Sequence, residues 1–304
     1  MVITSGSFAL DLWPGINKHY GDAYKQYPIE YLDIFQKETS NKAFERDVQT
    51  TGFGLAAIMP EGESVSYDTA SQGFHKDYTH VQYGLGFIIT RIMVEDDQYQ
   101  RASKTRAQAL AFSMRQTKEI LGANVLNRAF NASYTGGDGV ELCSLVHPNG
   151  GGAGGTWQNM LTESADLSEA ALEQAYIDIG SWTNDRGLKI SIQPLRLIIP
   201  INLKFEADRI LKSNQRVETA DNDINAIKAA NIFPQGAFVN HYLTDPDAWF
   251  IITNCPNGLK YFEREPERFG VDNDFDTDNA KYKATFRCSF GWTDPRGIFG
   301  SPGA

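Results

Sequence analysis

The stretch from Tyr99 to Asn131 runs for about 33 residues without a proline, and no other part of the chain restricts the fold as much. Leu110, Met114, Thr117, Leu121 and Val125 follow the 3,4 spacing of one helical face. This predicts a single rod of roughly 50 Å, long for a globular protein. Asp96 and Asp97 stand just before it, where carboxylates meet the positive end of the dipole, and the glycine-rich GGDG run follows its end. Gly122 inside the run costs about 1 kcal/mol relative to alanine. The helix is also basic: Arg101, Lys104, Arg106, Arg115, Lys118 and Arg128 are set against Glu119 alone. At ~100° per residue, Arg101, Lys104, Arg115 and Lys118 share an arc of roughly 100° beside the apolar stripe. One edge of the rod is expected to pack and another to be positive.

That basic rod belongs to an acidic chain, 304 residues with a formal charge of −10. The total excludes a nucleic-acid binder with a uniformly basic surface but leaves room for a local patch. With 41% apolar residues the chain can bury a sizeable core, as one large or two modest domains. No apolar run approaches the ~20 residues of a membrane span, and MVITSGSFALDLWPG lacks the basic start and apolar core of a signal peptide, so no membrane partner is expected. Cys143, Cys255 and Cys288 are odd in number, far apart and without a C-x-x-C pair, which fits a reducing compartment and no zinc knuckle.

Before the rod, residues 1–47 read as an arm or small packing layer, with one short helix starting at Trp13-Pro14 and another piece from Ile29 to Phe35. Residues 48–95 change to strands and turns punctuated by Pro60, Gly62 and Gly73. The polar YDTASQG portion cannot seed a core, so the middle is expected to project as a long hairpin with only Leu85–Val94 firmly buried. Unpaired hairpin edges invite association, which hints at assembly. After the rod, Gly150 to Gly155 reads as a flexible connection and the best domain boundary. Asp166 with Glu169 suggests a capping box opening a helix whose Leu172, Tyr176 and Ile179 share a face. Strands around PLRLIIP and AWFIITN alternate irregularly with helices, giving an α+β domain over 157–272. In KYKATFRCSFGWT, Tyr282, Ala284, Phe286 and Cys288 alternate as one side of a strand, expected to return to the base of the hairpin.

The order of these parts resembles the major capsid protein of tailed phages. The resemblance is carried by GLGFIITRIMVED leading into the rod, GGDGVELCSLVHP behind it, LRLIIPINLKFEADRILKS, AWFIITN, and DNDFDTDNAKYKATFRCSFGWTDPRG; it lies in their order and spacing and is nearest to the Mu-type head subunits. It implies an α+β phage major capsid fold. The expected parts are an N-terminal arm (1–47), an extended loop with its base strands (48–95), a peripheral domain with the spine helix (96–156), an axial domain (157–272) and a return strand to the peripheral domain (273–304). It also implies a non-enzymatic structural protein of the virion, assembled in the host cytoplasm as hexamers and pentamers into an icosahedral head enclosing double-stranded DNA. Its partners would be further copies of itself, a portal, and scaffold or decoration proteins. A nanocompartment shell of the encapsulin type is the alternative within this fold. Some members weld the shell through a loop lysine, and Lys76 is the only lysine between Thr50 and Glu95.

Phe53, Tyr67, Phe74 and Tyr78 on the hairpin are candidate anchors between subunits, since aromatic rings bring large contact area at little rotamer cost; packing across the hairpin strands is the competing reading. Arg101, Lys104, Arg115 and Lys118 are candidate DNA-facing residues through phosphates, against a solvated face or local ion pairs. A metal site at His75, Asp77 and His80 would need a strand bulge, and Asp272, Asp274, Asp276 and Asp278 lack the glycine and final glutamate of a calcium loop. Cys143 and His147 suggest a nucleophile and base, but they lack a nucleophile elbow or an evident orienting acid, and a buried cysteine acting as a small apolar residue is the competing reading; a soluble α+β hydrolase using Cys143 or a histidine is the rival from another class. No cofactor, metal site or catalytic residue is expected.

Overall fold

The computed structural model describes residues 18–95, 99–150, 154–216, 223–274, 276–277 and 279–304. The chain divides into two compact units: residues 1–44, 79–122 and 261–289 form the first, and 45–78, 123–260 and 290–304 the second. Each unit is therefore built from stretches that lie far apart along the chain.

The first unit contains α1 (helical over the described 18–24), β1 (Gln36–Thr39), β4 (Val81–Ile89), α2 (Arg91–Glu95) and the start of α3 (Tyr99–Asn127), with most of β10 (Leu259–Asn273) and β11 (Ala280–Trp292). Its sheet runs β1-β10-β11-β4, and β11 pairs antiparallel with β4 from Ala280↔Ile89 to Cys288↔Val81. Tyr282, Ala284, Phe286 and Cys288 are all buried, as the alternation predicts. The hairpin base differs from expectation: Leu85, Ile88 and Ile92 are exposed and only Ile89 of β4 is buried, because β4 is the last strand of its sheet. The α3 rod is continuous through Gly122 and ends at Asn127. The proposed N-terminal carboxylates Asp96 and Asp97 lie outside the described residues.

Within residues 18–35, expected as an arm or small packing layer, four side chains enter the interior. Tyr31, Ile34 and Phe35 are buried, Tyr20 stacks on Phe269 at 4.5 Å, and Tyr31 meets Tyr261 edge-on at 5.1 Å. The polypeptide here is fastened by Glu119, whose carboxylate accepts from the Glu30 and Tyr31 amides at 3.2 and 2.9 Å. In the same unit, neither carboxylate oxygen of Glu267 has a hydrogen-bond partner among the described residues, and burial pushes its pKa up to about 8. The folded state then binds more protons than the unfolded one between the ordinary glutamate value and about 8, so stability falls as pH rises through that window. The expected slope is at most about 1.4 kcal/mol per pH unit. Urea titrations from pH 5 to 8 should show this slope in the wild type and lose it in Glu267→Gln.

The second unit holds β2 (Phe44–Thr50, all but its first residue) and β3 (Gln72–Thr79, all but its last), then β5 (His147–Pro148), β6 (Thr156–Trp157), α4 (Glu169–Ser181), β7 (Pro194–Ile199), α5 (Lys204–Lys212), α6 (Ala226–Ala229), β8 (Ala237–Val239), β9 (Trp249–Thr253) and β12 (Ile298–Ser301). Its main sheet runs β12-β9-β7-β8. Leu197, Ile199, Trp249, Ile251 and Phe299 line one face of that sheet, and the apolar sides of α4 (Leu172, Ala175, Ile179), α5 (Ala207, Ile210) and α6 (Ile227) pack on it in one cluster. The cap of α4 is Ser168, whose hydroxyl accepts from the Ala171 amide at 3.2 Å. Asp166 instead accepts from the amide of Ala304.

The glycine run is not a domain boundary. β5 and β6 pair across it, His147 opposite Trp157, and both flanks belong to the second unit. Gly154 and Gly155, just before β6, have φ of +67° and +82°, a backbone conformation that L side chains would strain.

Candidate self-association surface

β2 and β3 pair as a two-stranded ribbon, and between them residues 51–71 form a long connection with no strand pairing of its own. The expected hairpin thus stops at Thr50 and Gln72. Its ladder ends in a clasp: the Thr51 amide donates to the Ser71 carbonyl at 2.9 Å, and the Ser71 amide to the Thr51 hydroxyl at 2.8 Å. Inside the connection, Asp68 accepts from the Gly54 amide at 2.7 Å and the Thr69 amide at 2.8 Å, and these two bonds hold its carboxyl below the usual range. Arg186 reaches in from outside, donating to the carbonyls of Gly52, at 3.2 Å, and of Thr69. Polar groups fix the path of the backbone while the side chains are left outward.

Those side chains are apolar. Phe53, Leu55, Ile58, Met59, Val65 and Tyr67 are all exposed, Ile58 at 95% and Tyr67 at 96%. Scattered exposed apolar residues are ordinary, but six large ones on a single 15-residue stretch, counted from Phe53 to Tyr67, are an association signature.

The ribbon itself is anchored within the second unit. The Tyr78 ring is 2% exposed, packs against Gly291, and places its hydroxyl 2.8 Å from Thr293 Oγ1, which donates to Asp47 at 2.7 Å. Lys260 closes the same cluster, 2.5 Å from Asp47. Tyr78 is therefore a packing residue, which corrects its assignment as an intersubunit anchor. Phe74 is half-buried beside Gly150, whereas Phe53 and Tyr67 remain open to solvent. Lys76, the one possible loop donor for a cross-link, is tied down: its ammonium donates to the Thr135 carbonyl at 2.6 Å and lies 5.2 Å from the Trp292 ring centre. Burial lowers its pKa. Gly137 permits this closeness, since a Cβ there would fall 2.3 Å from the His75 carbonyl.

The basic edge of α3 also needs correction. Arg115 and Lys118 are 4% and 2% exposed, so neither can face packaged DNA. The Arg115 guanidinium lies 5.3 Å from the Tyr24 ring centre and pairs with Glu119 at 3.2 Å. Lys118 sits 4.6 Å from the Phe286 ring centre and donates to the Tyr24 hydroxyl. Aromatic faces accept these cations because each ring carries negative charge on its face. Lys104 is exposed, and Arg101 lies outside the residues whose side chains are described.

Cys143 and His147 do not form a catalytic pair. Burial raises the Cys143 thiol well above its ordinary range. The buried His147 ring has Nδ1 at 2.7 Å from Asp138 and Nε2 at 3.0 Å from Asn159 Oδ1, so neither nitrogen is free to take a proton from a thiol. An acid does orient the histidine, which sequence reading missed, but the unit it belongs to is structural. Asn159 is its centre: Nδ2 donates to the carbonyls of Leu142, Pro295 and Ile298, and Oδ1 accepts from the Ser144 amide. Asp77 is committed to Arg46 at 2.6 and 2.7 Å, and Asp274 to Thr277 and Lys281. Among the described residues no group of three or more His, Cys, Asp or Glu could hold a metal ion.

A family model described as phage capsid protein matches residues 76–300 of this chain. Solved structures share the fold at low identity. A virus-like particle from Pyrococcus furiosus is 12% identical with a TM-score of 0.52, covering 94% of this chain and 97% of the other. A chain from Mycobacterium phage Patience is 11% identical with a TM-score of 0.55, covering 98% and 88%. The holo-SrpI encapsulin complex from Synechococcus elongatus PCC 7942 is 10% identical with a TM-score of 0.51, covering 92% and 89%. No curated protein matches the chain.

Proposed function

Because this chain belongs to the phage capsid protein family, a structural family of shell proteins, we propose that it is the major subunit of a tailed-phage head. In this reading it assembles as hexamers and pentamers into a closed icosahedral container around double-stranded DNA. The observation that supports it most is the connection between β2 and β3, whose backbone is clasped by Asp68, Arg186 and the Thr51–Ser71 pair while its apolar side chains have nothing to cover them. Laid on a neighbouring copy, each large aliphatic side chain contributes about 1.5–3 kcal/mol on burial. Closed symmetry repeats that contact at every copy. Portal, scaffold or decoration proteins, and assembly in the host cytoplasm, belong to the same reading. Non-specific phosphate contact with DNA falls to Lys104 and Arg101, since Arg115 and Lys118 are buried.

Negative-stain microscopy of the purified chain tests the proposal. Closed particles on the order of tens of nanometres across are expected; a monomer or small oligomer at all concentrations overturns it. The similarity to the Synechococcus encapsulin favours a second reading, a nanocompartment shell. Nuclease-protected double-stranded DNA in particles from the native source supports the first, and a co-purifying protein cargo the second.

A further inference from the structure

The second unit carries two surfaces of opposite character. Between α5, α6 and the start of β8 lies a cleft of about 280 Å³ with an apolar floor that includes Ile227 and Phe233. Its rim is cationic: Lys204, Lys212 and Lys228 surround a single lining carboxylate, Asp208, which meets Lys204 at 3.0 Å and Lys212 at 2.9 Å. Lys228 is held in place by donating to the Lys212 carbonyl and to Asn214 Oδ1, both at 2.6 Å. One carboxylate against three ammonium groups leaves the rim with surplus positive charge.

The outward side of α4 is the counterpart. It carries Glu173 and Asp178, the latter accepting from Gln174 at 2.8 Å, while Glu169 is turned away and paired with Arg216 at 3.4 Å, and it presents Tyr176 and Ile177 to solvent. This is unusual for a helix whose other side, through Leu172, Ala175 and Ile179, is fully committed to the core.

We propose that α4 of one copy docks in the α5–α6 cleft of the next, with Ile177 entering the apolar floor and Glu173, on the same outward face one turn earlier, meeting the lysine rim. The occupant is a second copy of this chain because the two patches complement one another in charge and polarity and are borne by the same unit. A contact between two different patches is head-to-tail. It leaves one cleft and one α4 unused at the ends of any open chain of subunits, so it keeps adding copies and ends in a ring where the rotation between neighbours closes. The inference rests on the shell reading above and adds to it the contact that closes a capsomer.

Two variants that each add one cysteine, Ile177→Cys and Lys212→Cys, co-assembled and treated with a short bis-maleimide, test it. Cross-linking between chains is then the only route to a covalent dimer through the new thiols, and each variant treated alone reports the background from Cys143, Cys255 and Cys288. The expected result is a dimer band in mixed particles that is at least tenfold stronger than in either variant alone. Charge reversal gives an independent readout. Glu173→Lys and Lys212→Glu should each lower particle yield at least fivefold, and the double variant should restore it. Particles that form normally but show no mixed-variant dimer and no rescue overturn this docking while leaving the shell reading intact. If the wild-type chain forms no particles, both are overturned.

Discussion

Aspartate at both Leu55 and Ile58 is expected to abolish closed particles while leaving the purified subunit folded. Both side chains are almost wholly solvent-exposed, at 83% and 95%, so the substitutions remove no contact within the chain. Surface changes of that kind shift stability by about 0.5 kcal/mol or less. In the proposed shell the same positions lie against a neighbouring copy, so each substitution there would lose about 1.5–3 kcal/mol of apolar burial and add a carboxylate that must be desolvated without a partner. The penalty recurs at every copy, so assembly responds much more steeply than the isolated subunit does. Sedimentation and negative-stain microscopy measure the first quantity, and circular dichroism with thermal melting the second. Wild-type particle yield from the double variant would remove the loop from the interface and take the principal support from the proposed function.

A comparable loss, of stability and not of assembly, is expected at Asn159. Its side chain is fully buried and joins three carbonyls, one amide and the His147 ring, and its main chain adds bonds to Ser144 and Gly300. Asn159→Leu preserves the approximate volume but leaves those side-chain partners without water or a substitute. The cost of several orphaned buried polar groups is about 3–5 kcal/mol. The melting temperature of the second unit should drop by on the order of 10 °C. Asn159→Ala adds a cavity and should be at least as damaging, whereas Gln158→Ala, one residue earlier and half-buried, should be mild. Equal melting temperatures for wild type and Asn159→Leu would show that the network contributes no net stability.

These two sets of residues were not equally legible in the sequence. The loop residues sit in a stretch whose glycines, Pro60 and polar YDTASQG segment mark it as unable to form a core, so its exposure could be read from neighbours along the chain. Asn159 has no local signature, because its partners at 142, 144, 147, 295 and 298 come from separate parts of the chain. The basic arc on α3 shows the same limit. Helical geometry places Arg115 and Lys118 beside the apolar stripe, but a helical wheel carries no information about what covers that edge. Tyr24, Tyr31 and Phe286 cover it, and they are about 85 to 170 positions away in sequence. Tyr78 was misplaced for a related reason: alternation along a strand tells which residues share a side, not which side meets Gly291 and Thr293.

What the sequence determined by itself is the set of elements governed by local periodicity: the long α3 rod, the alternating β11 strand with Tyr282, Ala284, Phe286 and Cys288 inward, and an α+β class with the order of parts found in phage capsid proteins. Only the tertiary structure decided how segments distant along the chain interleave into two units, why β5 and β6 on either side of the glycine run pair within one of them, and which charged and aromatic side chains turn inward. Periodicity is a property of neighbours a few residues apart and survives in the sequence. Burial of Arg115, Lys118 and Asn159 depends on partners brought together by folding, whose positions no local pattern encodes.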